Sequence, residues 1–129
     1  MTDIPQDVQE LATQLFDMAR KGHQDLLEII DQGLNVDLMN QEGNTLLMLA
    51  AYNGQPTLVR GLIERGADIN KLNDRAQSPL AGAIFKKENE VVDVLIDAGA
   101  DPTIGHPTAV DCARMFGRDD LLGRLGVEE

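Results

Sequence analysis

"GNTLLMLAAYNGQPTLVRGLIERGADIN", residues Gly43 to Asn70, carries a Thr before an apolar run, a Gly midway and a Gly-Ala-Asp at its close. A Thr hydroxyl can accept from the free amide groups of a helix start, and Pro56 suits a first helical turn. Gly54 and Gly66 can take the positive φ that ends a helix. The stretch reads as two short helices joined by a tight turn.

The same punctuation recurs along the chain. Asn40 returns as Asn73, Thr45 as Ser78, Leu47 as Leu80 and Ala50 as Ala83, and Gly66-Ala67-Asp68 returns as Gly99-Ala100-Asp101, always 33 residues on. Leu58, Val59, Leu62 and Ile63 become Val91, Val92, Leu95 and Ile96, a spacing that sets all four on one helical face. A lone helix of that length cannot bury such a face, whereas a stacked copy covers it. Upstream, "MARKGHQDLLEIIDQGLNVD" fits with one residue deleted between Leu27 and Ile29. Downstream, "PTAVDCARMFGRDDLLGRL" fits with Ala113 in the place of Ala83, an offset of 30, so the loop before it is shorter. Thr45, Ser78 and Thr108 occupy the capping position, and small Ala50, Ala51 and Ala83 let neighbouring helices approach. Between units, "DINKLNDRAQS" is polar and turn-rich, as an exposed connection should be.

With "NQEGNTLLMLAAYNGQPTLVRGLIERGAD" followed by "NDRAQSPLAGAIFKKENEVVDVLIDAGAD", the chain resembles the ankyrin repeat family over roughly residues 13 to 126. The resemblance implies an all-α solenoid of about four stacked helix-turn-helix units with β-turn loop fingers, its outer units degenerate caps. One domain spanning 1–129 is expected, with units near 5–38, 39–71, 72–104 and 105–126. It also suggests a small free-standing protein of bacterial origin. The family's His after Thr-Pro-Leu is replaced by Met48, Ala81 and Asp111. Lys87 stands where a helix-ending Gly is usual, so a left-handed backbone or a shifted helix end is expected there. The leading helix, from about Pro5 to Arg20, reads as longer than the inner ones and as a lid on the stack.

Composition narrows the function. The chain has 129 residues, 43% apolar and 3% aromatic, enough for one core of Leu, Ile, Val, Ala and Met. Twenty-two acidic against 11 basic residues give a net charge of −11, which opposes binding to nucleic acid or to anionic membranes. A basic target protein and plain solubility both stay open as readings of that charge. No apolar run is long enough to span a membrane, and the amino terminus lacks a secretory signal pattern, so a soluble, cytoplasmic, monomeric protein is expected. Cys112 has no second cysteine to pair with and falls in register as a small buried side chain. His23 and His106 lie in turns of different units, with no second ligand at metal spacing. Neither phosphate-loop nor dinucleotide glycine motif occurs. No enzyme, no cofactor and no metal is the expectation.

The resemblance places partner binding on a concave face made of loop tips and first helices. Carried over by position, the tips are Gln41, Glu42 and Asn44, then Asp74, Arg75 and Gln77. The first-helix ends hold Arg20, then Tyr52 and Asn53, Phe85 and Lys86, and Met115 and Phe116. Tyr52, Phe85 and Met115 occupy equivalent positions, which makes either an exposed apolar stripe for a partner or a series of side chains folded onto neighbouring helices. Arg20, Lys21, Arg75, Lys86, Lys87, Arg114 and Arg118 gather on the same side. They either make that side less negative or offset helix dipoles. The implied function is noncovalent binding of another protein. Neutralising a basic toxin or enzyme, as an immunity or inhibitor protein does, and assisting the assembly of an enzyme are the alternatives.

Overall fold

The computed structural model describes residues 6–127, so the expected start of the first helix at Pro5 lies outside the described residues. Among these residues the chain forms eight helices and no strand. They are α1 (Gln6–Lys21), α2 (Asp25–Asp31), α3 (Leu46–Tyr52), α4 (Pro56–Glu64), α5 (Pro79–Phe85), α6 (Asn89–Asp97), α7 (Ala109–Met115) and α8 (Asp119–Arg124). Within each unit a short turn joins the two helices, at 22–24, 53–55, 86–88 and 116–118, with Gly54 at positive φ in the second.

The first helices α1, α3, α5 and α7 pack in succession, and α2, α4 and α6 form a second row behind them. The core lies between the rows. Ala19, Ala50, Ala83 and Ala113 have no exposed surface, which lets the first helices approach closely. Leu58, Val59 and Leu62 of α4 and Val91, Val92 and Leu95 of α6 are buried, while Ile63 and Ile96, the fourth members of each face, are half-buried. In α2, Leu26 and Ile30 are buried and Leu27 and Ile29 half-buried. α1 is 16 residues long and lays Leu15, Phe16 and Ala19 against α3.

Local signals act as the residue types require. The side chains of Thr45, Ser78 and Thr108 accept from the amides of Met48, Ala81 and Asp111, each cap contributing about 1 kcal/mol. At α7 the Asp111 carboxylate also accepts from the Thr108 amide, completing a capping box. Met48 and Ala81 are buried apolar contacts. Lys87 takes φ 61°, so the helix end keeps its geometry and the lysine bears the left-handed backbone.

The seams between units are hydrogen-bonded with the period of the sequence. The Asp68 amide donates to Asp37 Oδ1 at 2.8 Å, and 33 residues on the Asp101 amide donates to Asn70 Oδ1 at 2.9 Å. Asn40 Oδ1 accepts from the amides of Glu42 and Asn44, and Asn73 Oδ1 from those of Arg75 and Gln77, at 3.0 Å each. Gln55 Nε2 donates to the Arg20 carbonyl at 2.9 Å, stitching the second unit to the turn of the first. Along the back, Arg65 grips Asp31 with two nitrogens at 2.9 and 3.1 Å, and Arg124 reaches Asp93 at 2.6 Å. These exposed pairs align helices more than they stabilise them.

Candidate functional site

Two hollows on the side made by the first helices and the loops before them take in expected site residues. One, of about 380 Å³, lies over α3, α5 and α7 and is lined by Tyr52, Gln77, Ala81, Gly82, Phe85, Lys86, Pro107, Cys112 and Met115. The other, of about 670 Å³, lies between α1 and the loop at 39–42 and is lined by Arg20, Gln41 and Glu42 together with Phe16 and Met39.

Small residues of α5 line the first hollow. Unit two presents Met48 and Leu49 where unit three presents Ala81 and Gly82. The Tyr52 ring lies on Gly82, where an added Cβ would fall inside the ring's van der Waals surface. The Tyr52 hydroxyl donates to the Ser78 carbonyl at 3.1 Å, an oxygen that also accepts the Gly82 amide at 3.1 Å. Burial pushes the Tyr52 phenol up to about 12, because the phenolate would be poorly solvated there.

The Tyr52, Phe85 and Met115 positions are therefore not equivalent in space. Tyr52 is folded down onto the next first helix, as one of the two readings held. Phe85 has no glycine to lie on, since Cys112 stands in the place of Gly82 one unit later. It remains 57% exposed, and Met115 is 64% exposed. Phe116 meets Phe85 edge to face with centroids 5.7 Å apart, and Lys87 Nζ sits 6.0 Å from the Phe116 ring centre.

The other expected positions separate into distinct places. Arg20 donates to Asp17 at 2.8 Å and borders the larger hollow with exposed Gln41 and Glu42. Asn44 and Gln77 are tied into the finger: Asn73 Nδ2 donates to Asn44 Oδ1 at 2.8 Å and to Gln77 Oε1 at 2.7 Å. Asn53 Nδ2 donates to the Leu49 carbonyl at 2.7 Å, at the end of α3. Asp74 and Arg75 are exposed loop tips, and the Asp74 amide donates to the Glu42 carbonyl at 3.1 Å. Asn44, Asn53 and Gln77 thus carry structural hydrogen bonds that their positions in the repeat do not announce.

Sequence reasoning missed Ala81, Gly82 and Pro107 as lining residues, as well as Phe16 and Met39 at the other hollow. A glycine inside α5, opposite the chain's single tyrosine, was the available signal. Cys112 faces the hollow with 1% exposure, and its thiol is pushed above the usual range by burial and then by the Asp111 charge. Such a thiol is a poor nucleophile. Among the described residues no group of His, Cys, Asp and Glu is arranged to hold a metal, and no helix is long and apolar enough to cross a membrane.

Comparison with known proteins agrees with the geometry. The family model described as ankyrin repeats (3 copies) matches residues 15–106. A protein of Pseudomonas aeruginosa named as an ankyrin repeat protein is 46% identical over 66 residues, covering 46% of this chain. The match spans 39% of that relative's length.

Proposed function

The chain belongs to the ankyrin repeat family, and we propose that it is a non-catalytic module that binds a partner protein through its concave face. Ankyrin repeats are generally protein-protein interaction modules, and the scaffold leaves specificity to surface side chains. The observation that carries this reading is the hollow over Gly82 and Ala81, bordered by Phe85 and Met115, two of the most exposed large apolar side chains among the described residues. Large apolar anchors around a concave, partly apolar floor are what an interface core needs. Lys86 and Phe116 lie beside the hollow and Tyr52 builds its floor, while Arg20, Gln41 and Glu42 border the second hollow and Asp74 and Arg75 are exposed at a loop tip of the same face.

A photo-crosslinking residue at position 85 tests the proposal in the native cell. Tagged recovery with mass spectrometry should return one protein joined to position 85 and not to the same probe at Arg60 on α4. Equal crosslinking from both positions, or from Arg60 alone, would reject the concave face. A second reading, neutralisation of a basic toxin or enzyme, draws on the acids of the outer helices, Asp25, Glu28, Glu90, Asp93 and Asp97, all exposed. A complex that dissociates steeply with salt and crosslinks from α6 would favour it.

A further inference from the structure

Charge is distributed unevenly over this acidic chain. Arg20, Arg65, Arg118 and Arg124 each hold a carboxylate. Lys86 and Lys87, after the end of α5, are exposed and, like Lys21, Arg60, Lys71 and Arg75, have no carboxylate partner among the described residues; of these six they are the adjacent pair. They stand beside Phe85, Met115 and Phe116, so an apolar patch and two ammonium groups share one end of the first-helix row.

Resting on the concave-face reading, we infer that this end takes an acidic segment of a partner protein. One or two large apolar side chains of that segment enter the hollow between Tyr52, Phe85 and Met115, and flanking Asp or Glu meet Lys86 and Lys87. The hollow, about 380 Å³, lies within the roughly 300 to 1,000 Å³ of pockets that hold compact apolar groups. Burial of the anchors supplies affinity, and the lysines select against basic sequences, where like charges would meet across a low-dielectric contact. A second copy of this chain is a poor occupant, because a two-fold pairing centred on the patch would gather four ammonium groups in one contact.

The test pans a random peptide library displayed on phage against the full chain, then measures the enriched peptides in solution by fluorescence anisotropy. Peptides with Phe, Leu or Met flanked by Asp and Glu should emerge. Lys86→Glu with Lys87→Glu should weaken them roughly tenfold or more, and peptides with their acids changed to Lys should bind that variant better than the parent. Arg60→Glu with Lys71→Glu makes the same change in net charge away from the patch and should leave binding unaltered. Lys86→Ala, a milder change, should give a smaller loss in the same direction. Enriched peptides with basic or uncharged flanks, or equal binding by the charge-reversed chain, would overturn the inference. If those peptides still need Phe85 and Met115, the concave-face reading survives; if they bind Phe85→Ala with Met115→Ala undiminished, both readings fall. Self-association that Phe85→Ala abolishes would also overturn it, by making a second copy the occupant.

Discussion

Replacing Gly82 by alanine should destabilise the chain, the reverse of what that change does in an ordinary helix. Gly82 is the fourth residue of α5, and at an unhindered interior position Gly→Ala gains about 0.8 to 1 kcal/mol. Here the new methyl would occupy the space of the Tyr52 ring, which must leave its seat. Overpacking of this kind costs about 1 to 3 kcal/mol, and the displaced hydroxyl gives up its bond to the Ser78 carbonyl, about 0.5 to 1.5 kcal/mol net. After subtracting the propensity gain, a net loss of about 0.5 to 3.5 kcal/mol is expected. Urea unfolding of four chains measures it: the parent, Gly82→Ala, Tyr52→Ala and the double variant. With Tyr52 gone the methyl has room, so Gly82→Ala should then stabilise by about 1 kcal/mol, a change of sign between backgrounds. A Gly82→Ala that stabilises both backgrounds equally would refute the packing of Tyr52 on α5.

Further outcomes follow from other sites. Tyr52 is the chain's single tyrosine, so phenolate absorbance should titrate in the folded protein near 12 and, in denaturant, near the ordinary value of 10. Below pH 10 folded and unfolded chains both hold the proton; between 10 and 12 only the unfolded chain ionises, so stability should fall as pH rises through that window, and a native midpoint at 10 would contradict the burial. Asn73→Ala removes an 8% exposed side chain whose amide closes one finger and reaches the preceding one, and should cost about 2 to 3 kcal/mol in urea unfolding, against near-neutral Arg75→Ala. Lys87→Gly should stabilise by about 0.5 to 1 kcal/mol by relieving the left-handed backbone, whereas Lys86→Gly should destabilise. Cys112 should react with a thiol reagent only as fast as the chain opens; rapid, complete labelling of folded protein would contradict its burial.

The repeat was legible in the sequence because its marks answer to backbone needs that local residue types reveal. Thr45 and Ser78 cap, Gly54 and Gly99 take positive φ, and Val91, Val92 and Leu95 face inward, as the 33-residue offset required. Lys87 in a glycine position was legible for the same reason. The orientation of a large side chain was not, because it depends on what the next unit offers underneath. Tyr52 and Phe85 share a register, yet one meets Gly82 and the other Cys112, so one lies flat and the other stands out. Likewise Asn44 and Gln77 read as free loop tips until Asn73 Nδ2 is seen to bridge them across a seam.

The rungs from Asp37 to the Asp68 amide and from Asn70 to the Asp101 amide are the same bond made twice. Each segment offers its successor an acceptor and presents its predecessor with a donor, so a duplicated copy of residues 39–71 would find its mooring on both sides. Growth by in-frame duplication is therefore open to this gene at the centre of the chain. The interval changes after the third unit, where the loop before Thr108 is shorter. A longer descendant would gain new tips in the middle and keep Phe85 and Met115 on neighbouring helices.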